Sequence, residues 1–311
     1  MMVVHGSGTV RRDPGSVVTV GTFDGVHLGH REVITAVVTR ARELAARSVV
    51  MTFDPHPKEV VASARGPVEL LSTMGERAAA FERLGVDLLL VIPFTYEFSR
   101  LSSREFYERH VSGEVGVREV IVGHDHTFGR DREGNIEPLR AIGNELGFAV
   151  RVLPPFLVDG ERISSTRIRT ALREGNAAKA ARFLGSPYTL SGTVVPGDGR
   201  GRGLGYPTAN IAVQAARKVI PADGVYVVQA ELSGESHRGM MNIGVRPTVT
   251  DGHTRTLEVH LLGSHGDLAG ESITVGFLDR LRDERKFASL DELIGQLARD
   301  RAAAESFGHE R

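Results

Sequence analysis

The sequence predicts a two-domain protein with an α/β N-terminal half and an all-β C-terminal half. Three observations predict this fold: the length of 311 residues, the alternation of apolar and amphipathic stretches up to about residue 150, and a change of composition near Gly185. Domains of about 150 residues are typical, so the chain accommodates two of them. We predict a doubly wound parallel sheet in residues 1–185 and a small antiparallel β-barrel in residues 186–311.

The N-terminal half alternates predicted strands with predicted helices. VVTVG, at 17–21, is a buried strand, and apolar residues recur at helical spacing through 30–45. VVMTF, DLLLVIPF and EVIVG are further strands. Ser102 and Glu105 form a capping box that begins one helix. Two short helices, at 165–174 and 177–184, close this half, and the alternation predicts a parallel sheet covered on both faces.

The C-terminal half is rich in β-branched residues separated by turns. The predicted strands are TLSGTVV, GVYVVQAEL, TLEVHLL and SITVGFL. Such a series predicts an antiparallel sheet or small barrel. A terminal helix begins at a second capping box, Ser289 with Glu292, and carries Leu293, Ile294 and Leu297 on one face.

Composition narrows the partners and the compartment. The chain has no cysteine, so disulfides and thiolate chemistry are excluded. Its 38 basic and 39 acidic residues leave a net charge of −1, which indicates neither a nucleic-acid nor a membrane partner. The first residues lack the pattern of a signal peptide, and the longest apolar run is too short for a bilayer. We predict a cytoplasmic protein; an oligomer is compatible with the sequence, which does not specify one.

The segment GTFDGVHLGH, at 21–30, lies between the first strand and the first helix. Gly21 and Gly29 permit a tight turn and close approach to a ligand, and Phe23 lies in the same loop. His27 and His30 are three residues apart, so a helical turn places them on one side. A helix N-terminus with two imidazoles is a candidate phosphate site; the alternative is a pair of surface histidines.

Such a site suits the attack of a phosphate on the α-phosphorus of ATP. The nucleophile is already an anion, so catalysis needs positioning and charge stabilisation rather than a general base. The late segment ISSTRIR could bind the departing pyrophosphate. It offers three hydroxyls at a helix start, with arginines beside them, and an ordinary N-cap is the alternative. The candidate residues of this segment are Ser164, Ser165, Thr166 and Arg169.

The C-terminal half carries a glycine-rich segment, GDGRGRGLGYPTAN, at 197–210. It is not a P-loop, because GxxxxGK[ST] occurs nowhere in the chain. Gly201, Gly203 and Gly205 lie in a predicted mobile flap, which is followed by Thr208 and Asn210. Their hydroxyl and amide oxygens suit magnesium bound to ATP phosphates, whereas the alternative is a flexible hairpin loop.

Glu258 is the candidate general base for a hydroxyl acceptor. A hydroxyl must lose its proton during phosphoryl transfer, so a carboxylate is expected within reach. Glu258 lies inside the β run TLEVHLL, where Leu257 and Val259 should face the other side of the sheet. The alternative is an ordinary strand glutamate that faces solvent.

Four motifs give the N-terminal half a specific resemblance. HLGH and ISSTRIR resemble the nucleotidyltransferase superfamily, and MTFDPHP with VGHDHTFG resembles the FMN adenylyltransferase module of bifunctional riboflavin kinase/FAD synthetases. The resemblance implies a Rossmann-like domain and a nucleotide-site role for Asp125. It implies a flavin-side role for Phe53, Asp54, Pro55, His56 and Pro57. His126 departs from the family, in which an aromatic residue is common.

The C-terminal half resembles the riboflavin kinase module of the same family. GRGRGLGYPTANI, PADGVYVV, MNIGVRPTV, LEVHLL and FLDRLRDERKF occur in the family's order, and the whole resemblance covers about residues 15–305. It implies that Thr208 and Asn210 bind magnesium–ATP, that Glu258 is the base and that Arg282 caps the flavin. The sequence departs from the family at Gly263, Ser264 and Ala269.

We therefore predict an enzyme that phosphorylates riboflavin to FMN and adenylylates FMN to FAD, using ATP, with Mg²⁺ in both steps. Three alternatives remain: another adenylyl- or cytidylyltransferase joined to an unrelated barrel, a flavin-binding protein in which one module has lost catalysis, and a zinc hydrolase. The zinc reading would use His27, His30, His124 and His126, but no HExxH is present.

Overall fold

A computed structural model of the chain describes residues 1–6, 8, 10–61, 68–124, 126, 135–197, 201–247, 253–263 and 268–308. Contacts between Cα atoms divide it into two compact units, Met1–Ser165 and Thr166–Arg311. The domain boundary that we place near residue 185 stays a prediction.

The first unit alternates strands with helices. A π-helical segment, Tyr107–Val115, continues the short helix α5. The described elements are β1 (Met2–His5), β2 (Val17–Val20), α1 (Leu28–Glu43), β3 (Ser48–Asp54), α2 (Pro57–Val61), α3 (Met74–Arg83), β4 (Leu88–Pro93), α4 (Tyr96–Ser99), α5 (Ser103–Phe106), β5 (Glu119–Gly123), α6 (Ile136–Leu146), β6 (Ala149–Leu153), β7 (Leu157–Val158) and β8 (Glu161–Arg162).

The central sheet of this unit has six parallel strands in the order β1-β4-β3-β2-β5-β6. This confirms the predicted parallel sheet. Val50 and Leu89 pack with Ile34 of α1 and Phe81 of α3 on one face, whereas Met51 packs against α5 and the π-helical segment on the other. Helices on both faces explain why these strands are apolar at nearly every position.

The order of the strands determines where a ligand can bind. The chain proceeds from β2 to β3 and β4 in one direction and then returns to β5 on the other side of β2. The carboxyl ends of β2 and β5 therefore border a topological switch point, where open α/β sheets bind their ligands. The histidine-containing loop 21–30 leaves β2 at this edge.

The second unit is built around a closed six-stranded barrel with the strand order β10-β13-β12-β11-β14-β9, which confirms the predicted barrel. A 3₁₀ turn, Arg202–Leu204, precedes β10. The described elements are α7 (Ser165–Arg173), which begins at the last residue of the first unit, α8 (Ala177–Leu184), β9 (Tyr188–Val195), β10 (Ala209–Val213), β11 (Gly224–Leu232), β12 (Glu235–Pro247), β13 (His253–Leu261), β14 (Ser272–Arg282) and α9 (Leu290–Ser306).

Alternation along the strands builds the barrel core. Tyr188, Leu190, Gly192 and Val194 of β9 are buried, while the alternate residues between them are partly exposed. The helix α8 packs against β14 and β9, and α9 packs against β12. We predict from sequence that α7 and α8 close the N-terminal half, whereas the contact division groups them with the barrel.

No helix in the described part of the chain combines the length and the apolarity that a membrane crossing requires.

Candidate active sites

The loop between β2 and α1 has an unusual backbone. Phe23 and Val26 have positive φ angles of 49° and 39°, and Gly25 has a φ of 85°. A β-branched residue in this region is a genuine outlier, and such strain is concentrated at functional sites. The Val26 amide donates to the Phe23 carbonyl at 3.0 Å, which closes a turn just before His27.

His27 and His30 form one hydrogen-bonded pair. His27 is the N-cap of α1, and its Nδ1 accepts a hydrogen bond from the His30 amide at 3.2 Å. The two rings stack with centroids 3.5 Å apart and planes 18° apart. Because Nδ1 of His27 is an acceptor, the neutral ring carries its proton on Nε2 and can donate to a ligand.

The surroundings of His30 favour its neutral form. Removal of the ring from water lowers its pKa well below 6.5, and the charges of His27 and Arg77 lower it further. The rings of Phe23 and His30 meet edge to face with centroids 5.3 Å apart, and the buried Nδ1 of His30 has no hydrogen-bond partner among the described residues. The pair therefore offers donors to an anion, but the positive charge must come from elsewhere.

Asp24 anchors the loop between β2 and α1 through its buried carboxylate. Its carboxylate is buried and accepts hydrogen bonds from the amides of Leu71 and Ser72 and from the Ser72 hydroxyl, at 2.9–3.1 Å. The Ser72 hydroxyl also accepts from the Gly25 amide at 2.7 Å. Ser165, the first residue of α7, donates its hydroxyl proton to the Asp24 carbonyl at 2.9 Å. Asp24 thus joins the histidine loop to two other segments of the first unit.

Arg77 of α3 is a buried cation that our sequence reasoning missed. It is 2% exposed, and its Nη1 donates to the Thr22 carbonyl at 2.8 Å and to the Thr52 hydroxyl at 3.3 Å. Among the described residues it forms no ion pair, and its buried Nε has no partner. A sequence signal existed, because Arg77 lies four residues before buried Phe81 and so shares the apolar face of α3.

The carboxyl end of β3 carries the predicted flavin-side residues. Phe53 is half-buried in an aromatic cluster with Phe94, Phe98 and Phe106, at centroid distances of 5.5–6.3 Å. Asp54 and Pro55 follow it and are exposed, and Pro57 begins α2.

His56, the remaining member of this group, is buried and faces its own turn. Its Nδ1 accepts from the Lys58 amide at 3.2 Å.

The carboxyl end of β5 is described only in part. Asp125, the predicted nucleotide-site residue, lies outside the described residues, as do 127–134. His126, which departs from the family pattern, places Nε2 3.3 Å from the hydroxyl of Tyr107, and burial raises the pKa of that phenol. The ring at 126 thus meets the π-helical segment through a polar contact.

Of the segment ISSTRIR, the first unit contains Ser164 and Ser165, both partly buried. Thr166 and Arg169 belong to the second unit, where Thr166 is exposed and Arg169 is half-buried.

In the barrel, Glu258 lies opposite the predicted magnesium ligands. Asn210 of β10 and Asn242 of β12 are its partners on the two neighbouring strands. The Thr208 hydroxyl donates to Glu258 Oε2 at 3.4 Å. Leu257 and Val259 are buried, and Glu258 is partly exposed, as strand alternation requires. Sequence reasoning did not single out Asn242, whose position became evident only from the register.

The glycine-rich segment requires glycine at two of its three candidate positions. A Cβ at Gly201 would collide with the Tyr206 carbonyl, and Gly205 has a φ of +80°. A Cβ at Gly203 would meet no atom within 4 Å. Residues 198–200 and Ser264 lie outside the described residues, while Gly263 and Ala269 lie in loops beside β13 and β14.

Arg282, which the resemblance assigns to flavin, is engaged with the terminal helix. Its Nε and Nη2 lie 2.9 Å and 2.8 Å from Oδ2 of Asp300, which is 4% exposed. Its Nη1 donates to the Asp283 carbonyl at 3.0 Å. The ion pair between Arg282 and Asp300 connects β14 to α9.

Comparison with known proteins finds a matching family model for each half of the chain. The family model described as FAD synthetase matches residues 9–167, and the model described as riboflavin kinase matches residues 184–307. The bifunctional riboflavin kinase/FMN adenylyltransferase of Pseudomonas fluorescens is 39% identical over 307 residues, 98% of this chain and 97% of that protein. The protein of the same description from Escherichia coli strain K12 is 39% identical over 99% of this chain and 98% of its own length.

A solved structure has the same architecture. The crystal structure of a protein from Streptococcus pneumoniae, described as a macrolide-efflux protein, superposes with a TM-score of 0.89. It is 34% identical, with 99% of this chain and 100% of that chain covered.

Proposed function

This chain belongs to the family of bifunctional riboflavin kinases/FMN adenylyltransferases, and we propose how its own residues divide the two reactions. It is an enzyme that phosphorylates riboflavin to FMN and adenylylates FMN to FAD, with release of pyrophosphate. The FAD synthetase match covers the parallel strands β2 to β6, and the riboflavin kinase match covers the barrel. We assign adenylyl transfer to the first unit and phosphoryl transfer to the barrel.

In adenylyl transfer, the phosphate of FMN attacks the α-phosphorus of ATP and pyrophosphate leaves. The stacked pair of His27 and His30 at the N-terminus of α1 is the observation that carries this assignment. Free amides at a helix N-terminus and the imidazole N–H of His27 would bind the negatively charged oxygens of the transferred group. No group in this site has to remove a proton from the FMN phosphate.

Positive charge for this step would come from arginines. Arg77 lies buried beneath the loop, where its field is weakly screened by water. Ser164 and Thr166 would donate hydroxyl protons to the leaving pyrophosphate, and Arg169 would neutralise it. Ser165 would donate there by exchanging its hydrogen bond to the Asp24 carbonyl for one to pyrophosphate.

The remaining predicted roles in the first unit rest on resemblance. Asp125 would bind the nucleotide, with Gly21, Phe23 and Gly29 shaping the loop around it.

The residues 53–57 would border the flavin of FMN. The aromatic cluster around Phe53 supports this role, since aromatic faces suit a planar heterocycle.

In phosphoryl transfer, the terminal ribityl hydroxyl attacks the γ-phosphorus of ATP and loses its proton. Glu258 would accept that proton. The Thr208 hydroxyl and the Asn210 amide oxygen are neutral hard donors two residues apart, which fits Mg²⁺ that retains water and phosphate ligands. Bound there, Mg²⁺ would neutralise charge on the ATP phosphates. Gly201, Gly203 and Gly205 would cover the phosphates, and Arg282 would order the end of the barrel near the flavin.

A single-activity or purely flavin-binding protein is not favoured, because both family models match and the bifunctional relatives align over nearly their whole length. The cytoplasmic location that we predict from the sequence remains a proposal, supported by the use of ATP in both steps.

The direct test is to incubate the purified chain with riboflavin, ATP and Mg²⁺ and to separate the flavins by chromatography over time. FMN should appear first and FAD should follow. A second incubation that starts from FMN should give FAD without riboflavin phosphorylation. If FMN accumulates and is never converted, the assignment to the first unit is wrong.

A further inference from the structure

His260 is a buried polar residue of the barrel to which the proposed reaction assigns no role. It lies on β13, two residues after Glu258, and is 5% exposed. The edge of the Tyr206 ring lies against it, with centroids 5.3 Å apart. Residues two apart on a strand point to the same face, so His260 and Glu258 share a side of the barrel wall.

The hydrogen bond of His260 defines its tautomer. Its Nδ1 lies 2.8 Å from the carbonyl oxygen of Pro207, and a carbonyl can only accept, so Nδ1 carries the proton. Its Nε2 is buried without a hydrogen-bond partner among the described residues. The described contacts therefore give His260 one hydrogen bond, from its Nδ1–H to the Pro207 carbonyl.

The accepting carbonyl belongs to the residue immediately before Thr208. β13 consequently contacts the segment 207–210 at three points: His260 Nδ1 at the Pro207 carbonyl, Glu258 Oε2 at the Thr208 hydroxyl, and the strand pairing of Glu258 with Asn210. Because the peptide bond between Pro207 and Thr208 is planar, the orientation of the Pro207 carbonyl also sets the position of the Thr208 backbone.

We propose that His260 is a positioning residue of the kinase step, which fixes the Pro207 carbonyl and thereby holds Thr208 and Asn210 opposite Glu258. The inference rests on the proposed roles of Thr208 and Asn210 as ligands of magnesium–ATP. Under this proposal the strand β13 carries both the general base, Glu258, and the residue that aligns the magnesium–ATP ligands with that base, His260. A competing explanation is that the ring at 260 only fills space beside Tyr206.

Two substitutions separate these explanations. His260→Asn places an amide N–H near the position of Nδ1 but loses most of the ring. His260→Leu keeps apolar volume but has no donor. If the hydrogen bond matters, the asparagine variant should be the better kinase, and if packing alone matters, the leucine variant should be the better one.

The measurement is riboflavin phosphorylation by the full chain at saturating riboflavin with varied magnesium–ATP. His260→Leu should lose about tenfold in kcat/KM for magnesium–ATP, mainly through KM, as expected for one misaligned hydrogen bond. His260→Asn should stay within about threefold of the parent. Riboflavin binding, followed by flavin fluorescence, and adenylylation of supplied FMN should be unchanged in both.

A further pair covers the case in which leucine prevents folding. His260→Gln moves the amide one carbon further out, to the position of Nε2, and should be a poorer kinase than the chemically similar His260→Asn. The proposal is overturned if the kcat/KM of His260→Leu for magnesium–ATP equals or exceeds that of His260→Asn. It is also overturned if His260→Leu and His260→Asn both match the parent. Thr208→Ala tests the underlying assignment separately: an unchanged KM for magnesium–ATP in that variant would contradict the role of Thr208 itself.

Discussion

At the residue scale, the proposed anion site depends on two histidines, His27 and His30. His27 is fixed by its N-cap hydrogen bond, and His30 is fixed by the stack and by Phe23. Because the FMN phosphate needs no base, the loss of His30 should affect the stabilisation of transition-state charge rather than proton transfer.

We predict that His30→Ala lowers FAD formation from FMN by about 10²–10³-fold, the range found when one oxyanion donor is removed. Riboflavin phosphorylation should remain close to that of the parent. Both rates are measured by flavin chromatography. His5→Ala, a change of an exposed histidine on β1, is the matched control and should alter neither rate. FAD formation at the parental rate in His30→Ala would refute the role.

The pKa of His30 gives a second prediction at this scale. Because the folded-state pKa lies well below 6.5, His30 should stay neutral in the folded protein at pH values just below 6.5, where the same histidine in the unfolded chain takes up a second proton. The unfolded state then binds more protons, so this histidine lowers the free energy of unfolding as pH falls below 6.5. Above pH 6.5 the penalty is absent.

Arg77→Met should raise the pKa of His30, since it removes one of the charges that depress it and leaves Asp24 and Asp54 without their nearby cation. The imidazole resonances of His30, assigned with His30→Asn, report the titration by NMR. Arg77→Lys retains the charge and is the control. A His30 midpoint in Arg77→Met at or below that of the parent would contradict this electrostatic account.

Glu258 gives the third prediction. A positioned general base contributes about 10²–10⁴-fold, which corresponds to roughly 3–5 kcal/mol of barrier. Glu258→Gln keeps the size of the side chain, so riboflavin phosphorylation should fall at least about a hundredfold while adenylylation of FMN is unchanged.

The matched control for that variant is Glu271→Gln, an exposed glutamate before β14. It should leave the kinase intact. Kinase activity of Glu258→Gln within a few fold of the parent would make Glu258 an ordinary strand residue.

At the scale of single elements, α9 is attached to the barrel by a buried ion pair. Asp300 of α9 is 4% exposed, and it receives two nitrogens of Arg282 and the amide of Gln296. Removal of one partner from such a pair leaves the other charge buried and unpaired.

Asp300→Ala should therefore destabilise the barrel by roughly 2–4 kcal/mol, somewhat below the usual range because Arg282 is partly exposed. Chemical denaturation followed by circular dichroism measures the change. Glu305→Gln removes an exposed ion pair with Arg301 in the same helix and should cost less than about 1 kcal/mol. Equal effects of the two substitutions would mean that the buried pair has no special weight.

Most elements could be predicted from periodicity, and the exceptions have physical causes. The box of Ser102 and Glu105 is present, but only one turn of α-helix follows before the hydrogen bonding changes to a π-helix. Ser289 caps α9, whereas Glu292 accepts from the Ala288 amide, so that the predicted reciprocal box is incomplete. The short edge strand β1 has only one neighbour and too few residues to show a period.

The candidate functional residues divide in the same way. Motifs in the sequence predict His27, His30, Glu258 and the segment 207–210, because the chemistry that we propose for them depends on residue type at fixed spacing. Arg77 and Asn242 reach their places only through the packing of α3 and the register of β12 with β13. The register that places Asn242 beside Glu258 has no local pattern, whereas the position of Arg77 on the apolar face of α3 is a local signal.

At the scale of the whole molecule, the chain consists of two cores with different architectures. The predicted border near residue 185 follows the change in composition, whereas contacts separate the units at residues 165 and 166. The residues between these borders form α7 and α8. Ala180 and Phe183 of α8 are buried, and the helix packs on β14 and β9.

The last prediction distinguishes the two borders with fragments. A fragment 186–311 retains every barrel strand, so it should fold and phosphorylate riboflavin without making FAD. A fragment 166–311 also retains α8, which packs on β14 and β9. It further keeps the hydrogen bond from the Ala222 amide to the Leu172 carbonyl at 2.9 Å. Burial of a side chain such as Phe183 stabilises by about 1.5–3 kcal/mol. The longer fragment should therefore unfold at a clearly higher temperature while the two share the same kinase activity. Phe183→Ala in the longer fragment should reproduce most of the difference, because it empties the same contact. If the shorter fragment is as stable as the longer one, α8 contributes nothing to the barrel, and the compositional border is the better domain boundary.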